Sequence, residues 1–268
     1  MITLQQILNS QSQLLNGKKV KVVRHKDSRG EYRDVIKDKE ALLEYQRYQP
    51  SDVFGGCDYI ISFIGLERRR SVLFGVFKVN GTEIIDNEYV YDLTRVPEME
   101  ELVDRLVVDW SGNTRAWHQW YDRNNKEVLE ILPQGYIGTF PGLLDFVLEF
   151  DELRTLIRNP DANFDWRHHL SAVNGVYLIL DSSAGQQYIG SACGANGIWG
   201  RWCDYAAGGN GGNKELIALQ KADPLHHRHF RFSVLQSLPS NITQREIVAI
   251  ENLYKEKLGV RAHGLNRN

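Results

Sequence analysis

Residues 175–190 read GVYLILDSSAGQQYIG. Two short apolar runs, each beside a glycine and each carrying a tyrosine, flank the turn-forming Asp181-Ser-Ser-Ala-Gly185. That layout predicts a β-hairpin. Side chains alternate along a strand, so Tyr177 shares a face with Ile179, and Tyr188 with Gly190. Antiparallel pairing brings both phenols onto one surface, with Gly190 beside them leaving room for a ligand. The competing reading is two half-buried aromatics that only stabilise the hairpin, because tyrosine is common in strands.

Downstream, residues 198–206 fit a helix with Ile198, Trp202, Tyr205 and Ala206 on its inner stripe. Arg201 and Tyr205 are four apart and lie one above the other. Arg201 either faces a phosphate beside the hairpin or lays its stem over Trp202 or Trp199. The run AGGNGGNK over 207–214 opens a further helix over 215–220. It lacks the spacing of a Walker loop, but Asn213 and Lys214 are candidates for contacts with a nucleic-acid backbone. Residues 230–235 alternate cleanly and predict a third strand. Thr243 and Glu246 form a capping box for a helix over 244–258. At 100° per residue, Ile247, Ile250, Tyr254 and Leu258 make its apolar stripe, Glu251 falls within that stripe, and Glu256 points to water. A carboxylate turned toward a core costs several kcal/mol unless it is paired or holds a metal. An ion pair with Arg201 is one account of Glu251, and metal ligation is the favoured one.

Gly175-Val176-Tyr177 and Tyr188-Ile189-Gly190, followed in order by Arg201, Glu251 and Asn266, resemble the signature of the GIY-YIG nucleases. The resemblance spans roughly residues 175–268. It implies an α+β domain with a small antiparallel three-stranded sheet flanked by helices. It also implies metal-dependent hydrolysis of DNA phosphodiester bonds. Glu251 would hold Mg²⁺ or Mn²⁺, which needs few protein oxygens. Arg201 would neutralise charge on the phosphoryl oxygens. Tyr177 or Tyr188 would orient or deprotonate the attacking water. Tyr205 stands where the family carries histidine or tyrosine, and Asn266 would help order the site. The alternative is a nucleic-acid-binding or regulatory protein on a silent nuclease scaffold.

At 268 residues, the chain has room for two modest domains. Its 42% hydrophobic and 25% charged content is ordinary for a globular protein. No apolar run approaches the ~20 residues of a membrane helix. The first residues lack the basic-then-apolar layout of a signal peptide. Cys57, Cys193 and Cys203 form no CxxC pair, which argues for reduced thiols and a cytoplasmic setting. Residues 171–268 carry 10 Lys+Arg against 7 Asp+Glu, a net of +3, and the remainder carries 22 against 27, a net of −5. DNA contact must therefore use a local patch rather than an overall field.

Residues 1–158 read as a β-rich α+β domain for target recognition, 159–170 as a linker and lead-in helix, and 171–268 as the nuclease domain. Helices are predicted over 4–15 and from Asp38 to about 48, with a turn at 27–30. Strands are predicted over 18–25, 59–64, 72–79, 89–93, 128–132 and 146–150, with Asn80-Gly81 as a hairpin turn. Arg68, Arg69 and Arg70 at a hairpin tip either grip phosphates or are simply solvated. The aromatic run from Arg115 through Trp117, Trp120 and Tyr121 is core or a base-stacking platform. Paired strands around a basic loop look similar to the PUA-like barrels that read modified bases or RNA. His168 and His169 precede the hairpin on different helix faces.

Overall fold

A computed structural model describes residues 1–26, 38–111 and 116–266. The turn expected at 27–30 and Arg115 lie outside them. The chain divides into two units, Met1–Pro133 and Gln134–Asn268, and the fold is α+β, as expected.

In the first unit, α1 (Leu4–Gln11) is followed by β1 (Val20–His25), α2 (Lys39–Arg47), β2 (Tyr48–Gln49), β3 (Tyr59–Gly65), β4 (Arg70–Ile85) and β5 (Glu88–Arg95). A 3₁₀ turn (Pro97–Leu102), β6 (Leu106–Asp109), β7 (His118–Trp120) and β8 (Glu127–Ile131) complete it. Among the described residues the strands form one sheet ordered β2-β5-β4-β3-β1-β7, with β6 pairing β4 and β8. Among the described residues no pairing joins its ends into a barrel. Every residue of β1 is buried and the strand runs parallel to β3, the pattern of a strand covered on both faces. Val22 packs with Leu4 and Met99 on one face, and Val23 packs with Leu42 and Phe54 on the other.

Asn80-Gly81 is not a turn. β4 runs through it to Ile85, with a bulge between Val79 and Gly81. The reversal falls at Asp86 and Asn87, both at positive φ between the paired Ile85 and Glu88, as a two-residue hairpin turn requires. The arginine tip is as expected between β3 and β4, but Arg69 lies 3.3 Å from Asp109 and Arg70 pairs with Glu130. Two of its three charges are thus already matched. Trp117 is partly buried against the core, and the ring of Trp120 has Lys21 Nζ 4.8 Å above it.

The second unit contains β9 (Leu148–Glu149), α3 (Phe150–Arg158), α4 (Phe164–Ala172), β10 (Asn174–Asp181), β11 (Gln186–Ala192), α5 (Gly197–Gly208), α6 (Lys214–Ala222), β12 (Phe230–Leu238), α7 (Gln244–Lys257) and α8 (Val260–His263). Its sheet, ordered β11-β10-β12-β9, is antiparallel throughout. The three expected strands are present, and the two residues of β9 add a fourth through Leu148 opposite Phe232. The division falls well before residue 158. Phe150, Leu153 and Leu156 of α3 are buried in the same core as Trp166, Tyr177 and Trp202. Residues 159–163 are not a free linker either. Buried Asn163 donates to Gly135 O at 2.8 Å and accepts from Ile137 N at 2.9 Å. His169 stacks on Phe140 at 4.6 Å, a packing role.

Candidate active site

The hairpin forms with a turn after Asp181, whose buried carboxylate accepts from Ser183 N and Oγ and meets His226 Nε2 at 2.7 Å. Tyr177 lies opposite Gly190 and Ile179 opposite Tyr188, so the phenols share a face. That face is packed rather than open: Tyr177 is fully buried and Tyr188 is 9% exposed. A Cβ on Gly190 would lie 2.4 Å from Tyr177 Oη. The space expected for a ligand at Gly190 is therefore taken by the Tyr177 ring. Gly190→Ala should displace that ring at a cost of about 1–3 kcal/mol, the usual range for overpacking. A thermal melt reads the loss, and an unchanged midpoint would contradict this packing.

The inner stripe of α5 is buried as expected through Ile198, Trp202, Tyr205 and Ala206. It delivers Tyr205 Oη to within 3.1 Å of Tyr177 Oη. Arg201, one turn earlier, donates from Nε to Tyr177 Oη at 3.3 Å and from Nη2 to Tyr205 Oη at 3.4 Å. Its guanidinium lies 5.0 Å from the Tyr205 ring centroid, and Nη1 is 3.2 Å from Asp204 Oδ2. Burial pushes both phenols above their ordinary pKa of about 10. Tyr188 adds to the rise at Tyr177, Tyr177 and Tyr188 add to it at Tyr205, and Arg201 opposes only part of each. Both are therefore neutral hydroxyls at neutral pH.

Glu251 is held from the other face of the sheet. Ser191 lies opposite Val176, one residue out of phase with Tyr177, and Val176 packs with Ile189 and Ile247 beneath α7. Ser191 Oγ donates to Glu251 Oε2, and Lys255 Nζ lies 2.5 Å from Oε1. The partner of Glu251 is thus Lys255, one turn along its own helix, and not Arg201. The stripe of α7 is narrower than its spacing suggests. Ile247 is fully buried, Ile250 and Tyr254 partly so, and Leu258 is exposed. Glu251 accordingly keeps 15% of its side chain exposed.

A groove of about 430 Å³ lies at the end of β11. Ser191, Cys193, Gly194 and Gln244 line it alongside Arg201 and Asp204. Glu251 lies outside this lining and is joined to it by the hydrogen bond from Ser191 Oγ. Among the described residues no three His, Cys, Asp or Glu side chains cluster to cage a metal. A single carboxylate with lone pairs to spare beside a hydroxyl nevertheless suits Mg²⁺ or Mn²⁺, which keeps most of its waters.

Asn266 is buried and pairs twice with Ile189, accepting from its N–H at 2.7 Å and donating to its carbonyl at 2.8 Å. Asn213 caps α6, accepting from Glu215 N at 2.9 Å and Leu216 N at 3.0 Å. Its side-chain oxygen caps the helix, and a phosphate, which only accepts, would take the Nδ2 donor instead. Lys214 is exposed on the first helical turn. Ser191, Asp204 and Lys255 escaped the sequence reading. The i,i+4 spacing of Glu251 and Lys255 was the available signal for the last of them.

No family model matches the chain, and no curated protein does. A solved structure is similar to part of it. That structure is the catalytic domain of the intron endonuclease I-TevI, in a glutamate-to-alanine mutant form. The identity is 23%, the match covers 36% of this chain and 94% of that one, and the TM-score is 0.28. No helix of the described residues is long and apolar enough to cross a membrane.

Proposed function

We propose that this chain is a divalent-metal-dependent endonuclease of the GIY-YIG type that hydrolyses phosphodiester bonds in DNA. In this reading Met1–Pro133 selects the target, as in a restriction enzyme. The observation that supports it best is the groove lined by Arg201, braced by two neutral phenols, and by Ser191, whose hydroxyl donates to Glu251.

Arg201 offers a planar cation fixed on one side by Tyr177 and Tyr205, and 31% of its side chain stays exposed toward a phosphate. Charge developing on the phosphoryl oxygens is met there without reorganisation. Glu251, with Ser191 beside it, would hold Mg²⁺ or Mn²⁺. Such an ion, when bound, supplies Lewis-acid stabilisation of the scissile phosphate and the leaving oxygen. Tyr177 and Tyr205 orient Arg201, and the packed side chains beneath the sheet keep that arrangement rigid. Asn266 fixes the strand that carries Tyr188 and Ser191.

Supercoiled plasmid incubated with Mg²⁺, and in parallel with EDTA, tests the reading. Nicking that requires the metal supports it, and an inert protein across several substrate DNAs, methylated and unmethylated, would favour a silent scaffold.

The buried phenol of Tyr177 makes a distinct prediction. A base with a pKa above 10 would make the rate climb about tenfold per pH unit through the neutral range. With Tyr177 orienting Arg201 instead, Tyr177→Phe should slow cleavage by about 10- to 100-fold, the scale of one lost positioning hydrogen bond. The shape of the pH–rate profile should remain that of the parent. Loss of a limb of the profile would assign the proton transfer to Tyr177.

A further inference from the structure

Arg201 in the groove and Glu251 behind Ser191 are each paired from within their own helices: Arg201 by Asp204 three residues on, Glu251 by Lys255 four residues on. The two pairs differ in depth. Asp204 is 60% exposed, whereas Lys255 and Glu251 are each only 15% exposed. Water screens the first pair and much less the second. Lys255 therefore places a full positive charge 2.5 Å from the oxygen that a divalent ion would also seek.

We propose that Lys255 sets the metal affinity of the site by competing with the divalent ion for the Glu251 carboxylate. This rests on the nuclease reading only in taking Glu251 as the ligand. The ammonium satisfies the carboxylate in the absence of metal, and the Ser191 hydroxyl fixes its second oxygen, so Glu251 stays aimed at β11. An arriving cation meets like-charge repulsion from Lys255 unless the lysine stem swings out along α7. Binding is weakened by the work of that displacement.

Mn²⁺ titration of the full-length chain, followed by the loss of the free-ion paramagnetic resonance signal, measures this without reference to cleavage. Lys255→Met should bind Mn²⁺ about fivefold or more tightly than the parent, the lower bound being the scale of an exposed ion pair. Glu251→Gln and the double variant should lose that binding. Lys255→Gln, which keeps a polar head, should show the same gain and guards against a misfolded methionine variant. Equal or weaker binding by both Lys255 variants, with the parent still binding through Glu251, would overturn the competition alone. Binding that survives Glu251→Gln, or no binding by any form, would overturn the choice of Glu251 as ligand, and the competition with it.

Discussion

If Glu251 holds the metal as proposed, cleavage by Glu251→Ala protein should fall by about 10³-fold or more in saturating Mg²⁺, since such an ion would contribute several kcal/mol. Stability should scarcely change. The substitution removes the pair with Lys255, whose flexible stem can carry the freed ammonium to water, and one hydrogen bond from Ser191, together on the order of 1–2 kcal/mol. The packing beneath α7 depends on Ile247 instead. A large loss of nicking with a thermal midpoint shifted by only a few degrees is therefore the expected signature. Parallel single-turnover cleavage and melting curves check it. Nicking at the parental rate would remove Glu251 from the chemistry.

Arg201→Ala carries the second large effect. Arg201 is the one cation among the groove-lining residues, so its loss leaves growing charge on the phosphoryl oxygens unanswered there. The rate should drop by about 10²- to 10³-fold, as when a single preorganised donor is removed. Because the interaction matters most in the transition state, the fall should appear in kcat with little change in KM. Arg201→Lys should recover only part of the rate. A lysine restores the charge but cannot offer separate donors to Tyr177 and Tyr205, as Nε and Nη2 do now. A variant that lost only KM would make Arg201 a docking residue.

What local chemistry dictates was readable in the residues themselves. The alternation around Tyr177 and Tyr188, the Asp38 cap, the Thr243–Glu246 box and the buried stripe of α5 all form as their spacing demands. What was not readable depended on partners remote in the chain. Asn80-Gly81 has the chemistry of a turn, yet cross-strand pairing with β5 carries β4 past it. The polar segment at 159–163 looks like a linker until Asn163 is seen tied to Gly135 and Ile137. For Glu251, helix geometry correctly turned the carboxylate inward. Which charge met it was decided by strand parity: Ser191 is out of phase with Tyr177, so Glu251 and Arg201 approach the groove from different faces.

The two hydrogen bonds between Asn266 and Ile189, with Leu265 N donating to Gln187 O at 2.8 Å, have a consequence outside the chemistry. β11 is a border strand, and its outward amides would otherwise solicit a strand from another molecule. The chain's own tail stops that side like a cork. With Asn266→Ala, the uncovered margin should make the protein self-associate on warming, visible as light scattering that rises ahead of the melt.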